Sequence, residues 1–292
     1  MSPITFCLST YNTLNYLKLA IESVRENSYY TDAPFVVHAE NCTDGTDEWL
    51  MENKDRYNLD VYIEHNTIPV GIGGGMNFCA SKVETKYIGF LSSDFYVAKN
   101  WDKELVRLCE QSSNGKLWAF SHRIEPDIFN DPASRPGTIK VPVDYFGELH
   151  NNFNKHSFVQ WAEEFSEMND FQIRKPEGVS GVISKAAWDF IGGNDDRFAP
   201  MYWEDMDLFI RMMNEDYDFI LTSKSVLYHF ASRTSRFPDD TFKRPKHLED
   251  YENRSAQRFI QKYGSFPKHD EFGCPIPMKA IDGSSNIIKT HE

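Results

Sequence analysis

Short apolar runs alternate with amphipathic segments along the first 120 residues, a pattern typical of repeated βα units. The apolar runs predict strands at 4–9, 35–40, 59–64, 87–91 and 117–120. Leu14, Leu17, Ile21 and Val24 recur at helical spacing and predict a helix over 14–24, and weaker patterns predict helices over 46–51, 76–83 and 101–109. We therefore predict a doubly wound, Rossmann-like α/β fold with a mostly parallel sheet flanked by helices.

The pattern loosens over 122–178, where five prolines interrupt it and one helix is predicted at 156–168. We interpret this stretch as an elaboration rather than a second core. Order returns with strands at 179–183 and 225–230, helices at 185–191 and 204–215, and a Gly192–Gly193 break between them. The prediction is one domain over 1–235, divided into 1–121, 122–178 and 179–235, followed by a C-terminal extension over 236–292 with a helix at 247–263.

Net charge, hydropathy and cysteine usage exclude some classes of binding partner and cellular location. The net charge is -13, from 31 Lys and Arg against 44 Asp and Glu, which disfavours nucleic acid as a partner. No apolar run is long enough to span a membrane, and the first residues lack the basic-then-apolar order expected of a signal peptide. Five scattered cysteines without a CxxC pair indicate neither a disulfide framework nor a zinc knuckle, so we expect a cytoplasmic protein. A basic run over 233–246 leaves contact with phosphate or a membrane surface open.

Polar side chains follow three of the predicted strands, where ligands of open parallel sheets bind. They are Thr10, Tyr11 and Asn12 after the first strand, Glu40 and Asn41 after the second, and Ser92, Ser93 and Asp94 after the fourth. These residues predict a polar cleft along one edge of the sheet.

Two of the segments near this edge have both a functional and a structural interpretation. The Glu40 carboxylate could accept the imide N–H of a uracil-like base or a ribose hydroxyl, whereas 44–46 is better explained as a turn and helix cap. The glycine-rich segment 71–77 opens a helix and could approach a phosphate or sugar. Tight helix packing explains its glycines equally well, and it lacks the Gly-Lys-Ser/Thr of a Walker loop.

Acidic residues supply the candidate chemistry. Asp94, directly after a buried strand, could hold Mg²⁺ or Mn²⁺ against a diphosphate, although a lone Asp there is commonly a turn cap. Glu204, Asp205 and Asp207 begin a helix beside Tyr202 and Trp203, where acids often serve the helix dipole. One of these carboxylates could instead act as a general base toward an acceptor hydroxyl. His229, near the end of the last predicted strand, could ligate the same metal.

Taken in order, these segments resemble the family 2 glycosyltransferases, which are inverting enzymes with the GT-A fold. The segments 6–12 and 16–24 are similar to the first strand and helix of that family, and 40–46 to its base-binding turn. Asn66, Gly71 and Asn77 resemble the next loop. The segment 91–94 stands where the family has its DxD metal motif, with Ser92 in place of the first acid. The segments 178–181, 191–198 and 204–208 resemble the acceptor-side region and its Glu-Asp motif.

The resemblance implies a GT-A domain in which 1–121 is the nucleotide-binding half and 179–235 the acceptor half. It implies a nucleotide-diphosphate sugar donor, with UDP favoured, and Mn²⁺ or Mg²⁺ held by Asp94 and His229. Donor contacts would come from Thr10, Tyr11, Asn12, Glu40, Asn41, Asn66, Gly71, Asn77, Ser92 and Ser93. Asp205, with Glu204 beside it, would remove the proton of a glycan or glycolipid acceptor.

Two other classes stay open. A sugar-phosphate nucleotidyltransferase uses a similar sheet and metal, but the segment 10–17 lacks the glycine and basic residues expected there. A glycan-binding or sugar-nucleotide-binding module without catalysis would fit Ser92, whereas the intact Glu204-Asp205 pair favours an enzyme.

Overall fold

A computed structural model describes residues 2–128, 130, 137–178, 180–230, 233, 246–271 and 273–288. The strands are β1 (Ile4–Thr10), β2 (Phe35–Glu40), β3 (Leu59–Glu64), β4 (Tyr87–Ser92), β5 (Phe95–Val97), β6 (Leu117–Pro126), β7 (Thr138–Val141), β8 (Gln172–Ile173), β9 (Gly181–Ser184) and β10 (Asp218–His229). The helices are α1 (Leu14–Asn27), α2 (Thr46–Asn53), α3 (Gly71–Ser81), α4 (Trp101–Gln111), α5 (Val143–Phe146), α6 (Lys155–Met168), α7 (Lys185–Ile191), α8 (Glu204–Asn214) and α9 (Lys246–Tyr263), with a 3₁₀ turn at Asp196–Phe198.

The described strands form one sheet in the order β3-β2-β1-β4-β9-β6-β10-β5, with β7 beside β6 and β8 beside β10. The pairs β1–β2, β1–β4, β2–β3, β6–β7 and β6–β10 are parallel. The strands β5, β8 and β9 join their neighbours in the antiparallel sense. The predicted α/β fold with a mostly parallel sheet is thus confirmed.

Helices cover both faces of the sheet. Along β1, Ile4, Phe6 and Leu8 belong to one hydrophobic cluster with α1 and α4, whereas Cys7 belongs to a second cluster with α3, α7 and α8. Alternate residues of a strand point to opposite faces, so the strand is buried on both sides. This explains why the central strands form nearly continuous apolar runs in the sequence.

The helix α3 begins at Gly71, five residues before the predicted start at Met76. Its glycines allow a close approach to the sheet, because a Cβ on Gly75 would lie 1.9 Å from the Ser9 hydroxyl oxygen. The low intrinsic helix propensity of glycine hid this first turn from sequence analysis. Packing of the helix against β1 and the loop before α8 offsets that cost.

The segment 122–178 contains regular secondary structure and buried aromatic residues. The strand β6 continues to Pro126, well beyond its predicted end, and β7 and α6 add to it. Phe146 and Phe158 from this segment join Tyr228 and Phe230 in a third hydrophobic cluster. The sequence did not indicate this packing, because these aromatic residues are spaced too irregularly to give a period, and the interpretation of 122–178 as an elaboration stays a prediction.

The strand β10 is also longer than predicted, and it contains a bulge. Its register against β6 shifts between Thr222 and Val226, so that Thr222 is opposite Ser121 while Val226 is opposite His122. Beyond the bulge, Tyr228 pairs with Ile124. The bulge thereby sets which residues of the two strands face each other at their carboxyl ends.

The helix α9 of the C-terminal extension is packed onto α8. Phe259 and Tyr263 contact Phe198 and Ile210 in a fourth hydrophobic cluster. Lys262, almost fully buried, lies 2.6 Å from Asp207 and 2.9 Å from Asp195. Among the helices that the structure describes, none is long and apolar enough to cross a bilayer. The predicted basic run falls mostly on Arg236, Lys243 and Arg244, which lie outside the described residues.

Candidate active site

The loops after β1 and β2 are joined to each other. Asn12 has a left-handed backbone (φ 55°), and its side-chain oxygen accepts the Thr43 N–H at 2.8 Å. The Asp44 carboxylate accepts the Leu14 N–H at 2.8 Å and the Thr46 hydroxyl at 2.7 Å. Asp44 therefore ties the first turn of α1 to the loop after β2, and 44–46 forms a turn that leads into α2, although the N-cap residue of that helix, Gly45, supplies no side-chain cap.

Glu40 organises the loop between β3 and α3. Its buried carboxylate accepts hydrogen bonds from the Asn66 side chain at 2.9 Å, the Val70 N–H at 2.7 Å and the Gly71 N–H at 2.8 Å. The Asn41 side chain donates to the Asn66 carbonyl at 3.0 Å. The structure thus brings Glu40, Asn41, Asn66 and Gly71 together, with both Glu40 oxygens bonded to the loop. These hydrogen bonds fix the conformation of the loop between β3 and α3.

Gly71 and Asn77 connect α3 to the segment before α8. Gly71 has φ +68°, and a Cβ there would lie 1.7 Å from the Pro200 carbonyl oxygen. The Asn77 amide donates to the Asn194 carbonyl at 2.9 Å and accepts the Asn194 N–H at 2.8 Å. Both residues therefore hold the β3–α3 region against the region that leads to Glu204 and Asp205.

Asp94 and His229 lie together where β4 and β10 end. His229 Nε2 is 3.5 Å from Asp94 Oδ2, and its Nδ1 is 2.7 Å from Glu125 Oε1. The Ser92 hydroxyl donates to Asp94 Oδ1 at 2.7 Å, and the Arg233 N–H donates to Asp94 Oδ2 at 2.8 Å. Two residues placed in one metal site from the sequence are thus neighbours, and Ser92 orients the acid two residues after it.

The charges of this cluster favour an ionised Asp94. Burial raises the pKa of Asp94, but the charge and hydrogen bond of His229, together with the bonds from Ser92 and Arg233, outweigh it and lower that pKa to about 2. Burial lowers the pKa of His229, but Asp94 and Glu125 raise it above its ordinary value. The carboxylates of Asp94 and Glu125 therefore favour a positive charge on His229.

The geometry of Asp94 and His229 fits a divalent cation. A carboxylate that accepts from one ring nitrogen of a histidine orients the other nitrogen toward a metal, and Glu125 stands in that position. Nε2 and Oδ2 at 3.5 Å are close enough for one cation with bonds of about 2.1 Å to reach both. Across the part of the chain that the structure describes, no three His, Cys, Asp or Glu side chains form a complete metal site. Phosphate oxygens and water would have to complete the coordination.

Arg123 connects this cluster to the elaboration. Its guanidinium lies 3.5 Å from both Glu125 and Glu177, and Glu177 lies 2.6 Å from Lys175. All four side chains are buried or nearly so. Sequence analysis missed Glu125 and Arg123, because their relation to His229 depends on the β6–β10 register and no local motif surrounds them.

The Glu204-Asp205 pair begins α8 after an unusual turn. Tyr202 and Trp203 both have left-handed backbones (φ 74° and 70°). Glu204 is buried, and its Oε2 atom has no hydrogen-bond partner. Burial and the neighbouring Asp205 raise the pKa of Glu204 to about 8. Asp205 is less buried and accepts the Met206 N–H at 2.7 Å.

The third acid of this helix has a structural position. Asp207 is fully buried and lies 2.7 Å from Arg211 and 2.6 Å from Lys262, and it accepts the Tyr263 hydroxyl at 2.8 Å. Two cations and one hydroxyl group satisfy this carboxylate, which thereby joins α8 to α9. Only Glu204 and Asp205 of the acidic cluster remain as candidates for chemistry.

The remaining predicted residues line the strand ends. Tyr11 is exposed, Thr10 is buried and donates to the Asn12 carbonyl at 3.1 Å, and the buried Ser93 hydroxyl lies 3.2 Å from that of Thr13. Of the adjacent aromatic residues Tyr145 and Phe146, Tyr145 is exposed, whereas Phe146 is buried in the third cluster.

Solved structures with the same architecture define the class of fold. GalNAc-T7, in its crystal structure with UDP, GalNAc and Mn²⁺, superposes with a TM-score of 0.56 at 13% identity, over 77% of this chain and 43% of its own. TarS of S. aureus gives 0.52 at 15% identity, over 88% of this chain and 39% of its own. TarS 1-349 in complex with UDP gives 0.51 at 16% identity, over 88% and 65%. The chain has the GT-A fold of glycosyltransferases.

The sequence comparison then gives the family. The model of glycosyl transferase family 2 matches residues 5–167, more than half of the 292 residues, so the chain belongs to that family. A segment of 100 residues is 29% identical to abequosyltransferase RfbV of Salmonella typhimurium and covers 33% of this chain. The matched segment spans 29% of that relative's length.

Proposed function

We propose that the protein transfers a sugar from a UDP-sugar to a hydroxyl of a glycan or glycolipid acceptor, with metal assistance and inversion at the anomeric carbon. The observation that carries the proposal is the Asp94–His229 pair at the strand ends of a family 2 fold. Two neighbours of the same fold were crystallised with UDP, one of them with Mn²⁺ as well. The five free cysteines of the chain agree with a reducing, cytoplasmic location.

The donor half would hold the nucleotide against the loops after β1, β2 and β3. These loops are already fixed by Asn12, Asp44 and Glu40, so little ordering free energy would be lost on binding. Asp94 and His229 would hold Mn²⁺ or Mg²⁺ with the diphosphate oxygens. The bound cation would neutralise the charge that develops on the departing diphosphate.

Asp205 is the residue that we assign as general base. In the transfer, the acceptor oxygen forms a bond to the anomeric carbon while the bond from that carbon to the diphosphate oxygen breaks. The acceptor proton passes to Asp205, and UDP leaves with the bonding electrons. Burial and the charge of Asp205 raise the pKa of Glu204, which disfavours its ionised form, whereas Asp205 is less buried and better placed to accept this proton.

Two variants separate the base from the metal site. We expect Asp205→Asn to abolish transfer and leave UDP binding unchanged, because a general base supplies roughly 10²-fold to 10⁴-fold and binds no donor. Asp94→Ala should weaken Mn²⁺-dependent UDP binding. Calorimetric titration with UDP and Mn²⁺, together with hydrolysis of UDP-sugars, measures both effects.

The control is Asp32→Asn, an exposed acid for which the structure shows no partner. Turnover by Asp205→Asn equal to that of the wild type would contradict the assignment of the base. UDP binding without turnover for every acceptor and without hydrolysis would instead favour the non-catalytic binding module.

A further inference from the structure

A groove of about 760 Å³ lies beside the candidate active site. One wall is the segment 67–69. Its two flanking residues, Asn66 and Val70, both donate hydrogen bonds to Glu40. The second wall is Ala199 and Pro200, and the third is the outer face of α9. The groove therefore joins the proposed donor loop to the turn that leads to Glu204 and Asp205.

Two arginines of α9 line the groove together with one other carboxylate, Asp196, so positive charge exceeds negative charge once Arg197 and Asp282 are counted as a pair. Arg254 lies with its guanidinium carbon 5.0 Å from the Tyr251 ring, and Arg258 donates to the carbonyls of Arg197 and Ala199. Within the described residues, neither Arg254 nor Arg258 forms an ion pair with a carboxylate. Arg197, in contrast, is neutralised by Asp195 at 2.8 Å and Asp282 at 2.6 Å.

This charge is unusual for the molecule as a whole, which carries a net charge of -13. A guanidinium without a carboxylate partner is a binding group for carboxylate or phosphate, and its planar face also stacks on aromatic rings. Tyr251 adds an aromatic surface of the kind that packs against sugar rings, and Ile68 on the opposite wall is 82% exposed. An anionic sugar would pair with the two arginines and pack against Tyr251 and Ile68.

The position of the groove relates it to the acceptor. Pro200, which forms part of one wall, accepts the Ile72 N–H at 3.0 Å and precedes Asp205 by only five residues. Pro200 thus belongs both to the groove lining and to the segment that ends at the carboxylate that we assign as the base.

We propose that this groove binds an acidic group of the acceptor glycan, a sugar carboxylate or a sugar phosphate, through Arg254 and Arg258. The inference rests on the proposed function and specifies the chemical class of its acceptor. Arg254 supplies the main charge contact, Arg258 adds a second positive charge while bonding to two backbone carbonyls, and Tyr251 packs against a sugar ring.

The test uses the full chain and three probes of similar size: oligogalacturonate for a carboxylate, a phosphorylated mannan fragment for a phosphate, and maltotetraose as a neutral sugar. Binding is measured by calorimetric titration at low and high salt. We expect the wild type to bind one of the two acidic probes and not maltotetraose, with affinity that falls as salt rises. The acidic probe that binds identifies the acidic group.

Arg254→Gln is the diagnostic variant because Arg254 is exposed and its loss leaves the fold intact. It should weaken binding of the acidic probe about tenfold, the value of one charged hydrogen bond. Arg254→Lys should restore part of that affinity. Arg107→Gln, on the exposed face of α4, is the matched control and should bind as the wild type does.

Titration with UDP separates this inference from the proposed function. Unchanged UDP binding by Arg254→Gln, with weakened binding of the acidic probe, supports the groove. Loss of UDP affinity in Arg254→Gln would overturn it, because the groove would then belong to the donor. Equal binding of acidic and neutral probes, or no binding of either by a chain that binds UDP, would also overturn it and leave the proposed function standing.

Discussion

Glu125 fixes the orientation of the His229 ring, because it contacts Nδ1 at 2.7 Å and leaves Nε2 directed to Asp94. A glutamine at this position has no charge to favour the same tautomer. We therefore expect Glu125→Gln to weaken Mn²⁺ binding in the presence of UDP by about tenfold to hundredfold. Electron paramagnetic resonance of free Mn²⁺ measures this directly.

The matched control for this variant is Glu52→Gln on the exposed part of α2. Mn²⁺ affinity that is the same in Glu125→Gln and Glu52→Gln would contradict the positioning role of Glu125.

Glu204 makes stability depend on pH. Its pKa is about 8 in the folded chain against an ordinary 4.5, so between these values the folded state holds a proton that the unfolded state releases. The free energy of unfolding therefore falls as pH rises through this window. We expect Glu204→Gln to flatten this fall, which is on the order of a few kcal/mol in the wild type.

Urea unfolding at several pH values between about 5 and about 8.5 tests this, because the window lies between the two pKa values of Glu204. The exposed Glu52→Gln should keep the pH dependence of the wild type. An equal slope in all three proteins would show that Glu204 does not ionise in this window.

At the scale of single residues, sequence reasoning located Asp94 and His229 because each follows an apolar strand. It could not locate Glu125, which becomes important only through the strand opposite. It also gave Glu40 a ligand-binding role, whereas the structure adds a loop-organising one through three hydrogen bonds. The binding role of Glu40 stays a prediction.

Substitution of two glycines distinguishes the cost of backbone strain from the cost of a steric clash between elements. Gly71 and Gly115 have nearly the same φ (+68° and +69°). A Cβ on Gly71 would clash with the Pro200 backbone, whereas a Cβ on Gly115 would have no atom within 4 Å. We expect Gly115→Ala to cost about 1–2 kcal/mol from the left-handed backbone alone. Gly71→Ala should cost roughly 1–3 kcal/mol more, since α3 must move away from the segment before α8.

Chemical denaturation of the two variants measures the difference. Equal losses would mean that the loop around Pro200 yields to the methyl group. We also expect Gly71→Ala, and not Gly115→Ala, to weaken UDP binding, because Gly71 donates its N–H to Glu40.

At the scale of elements, the central strands were predictable because burial on both faces makes them apolar throughout. The first turn of α3 was not, since its glycines are selected for close packing and not for helix propensity. The short strand β5 was also missed. It is three residues long and is defined by its pairing with β10 rather than by its own pattern.

The molecule as a whole depends on the contact between its C-terminal helix and α8. Lys262 is 1% exposed and bridges Asp195 and Asp207, so its loss leaves buried carboxylates with fewer partners. We expect Lys262→Met to destabilise the fold by about 3 kcal/mol. Thermal and urea unfolding would show this, with the exposed Lys268→Met as the control.

Wild-type stability in Lys262→Met would mean that the charge of Arg211 and the hydrogen bond from Tyr263 are enough to stabilise the buried Asp207. The division of the chain at residue 235 stays a prediction about sequence organisation. In the described residues, the extension contributes Phe259 and Tyr263 to a cluster shared with α8.

The bulge in β10 has a consequence for how this chain tolerates insertions and deletions. Because the register beyond Val226 pairs Tyr228 with Ile124, the next residues along the two strands are His229 and Glu125. Deleting one residue within the bulge would slide the end of β10 and present a different side chain to Glu125. Length changes here would therefore alter the chemistry at the sheet edge. A length change at the exposed turn around Gly115 would instead extend into solvent and leave the strand register unchanged.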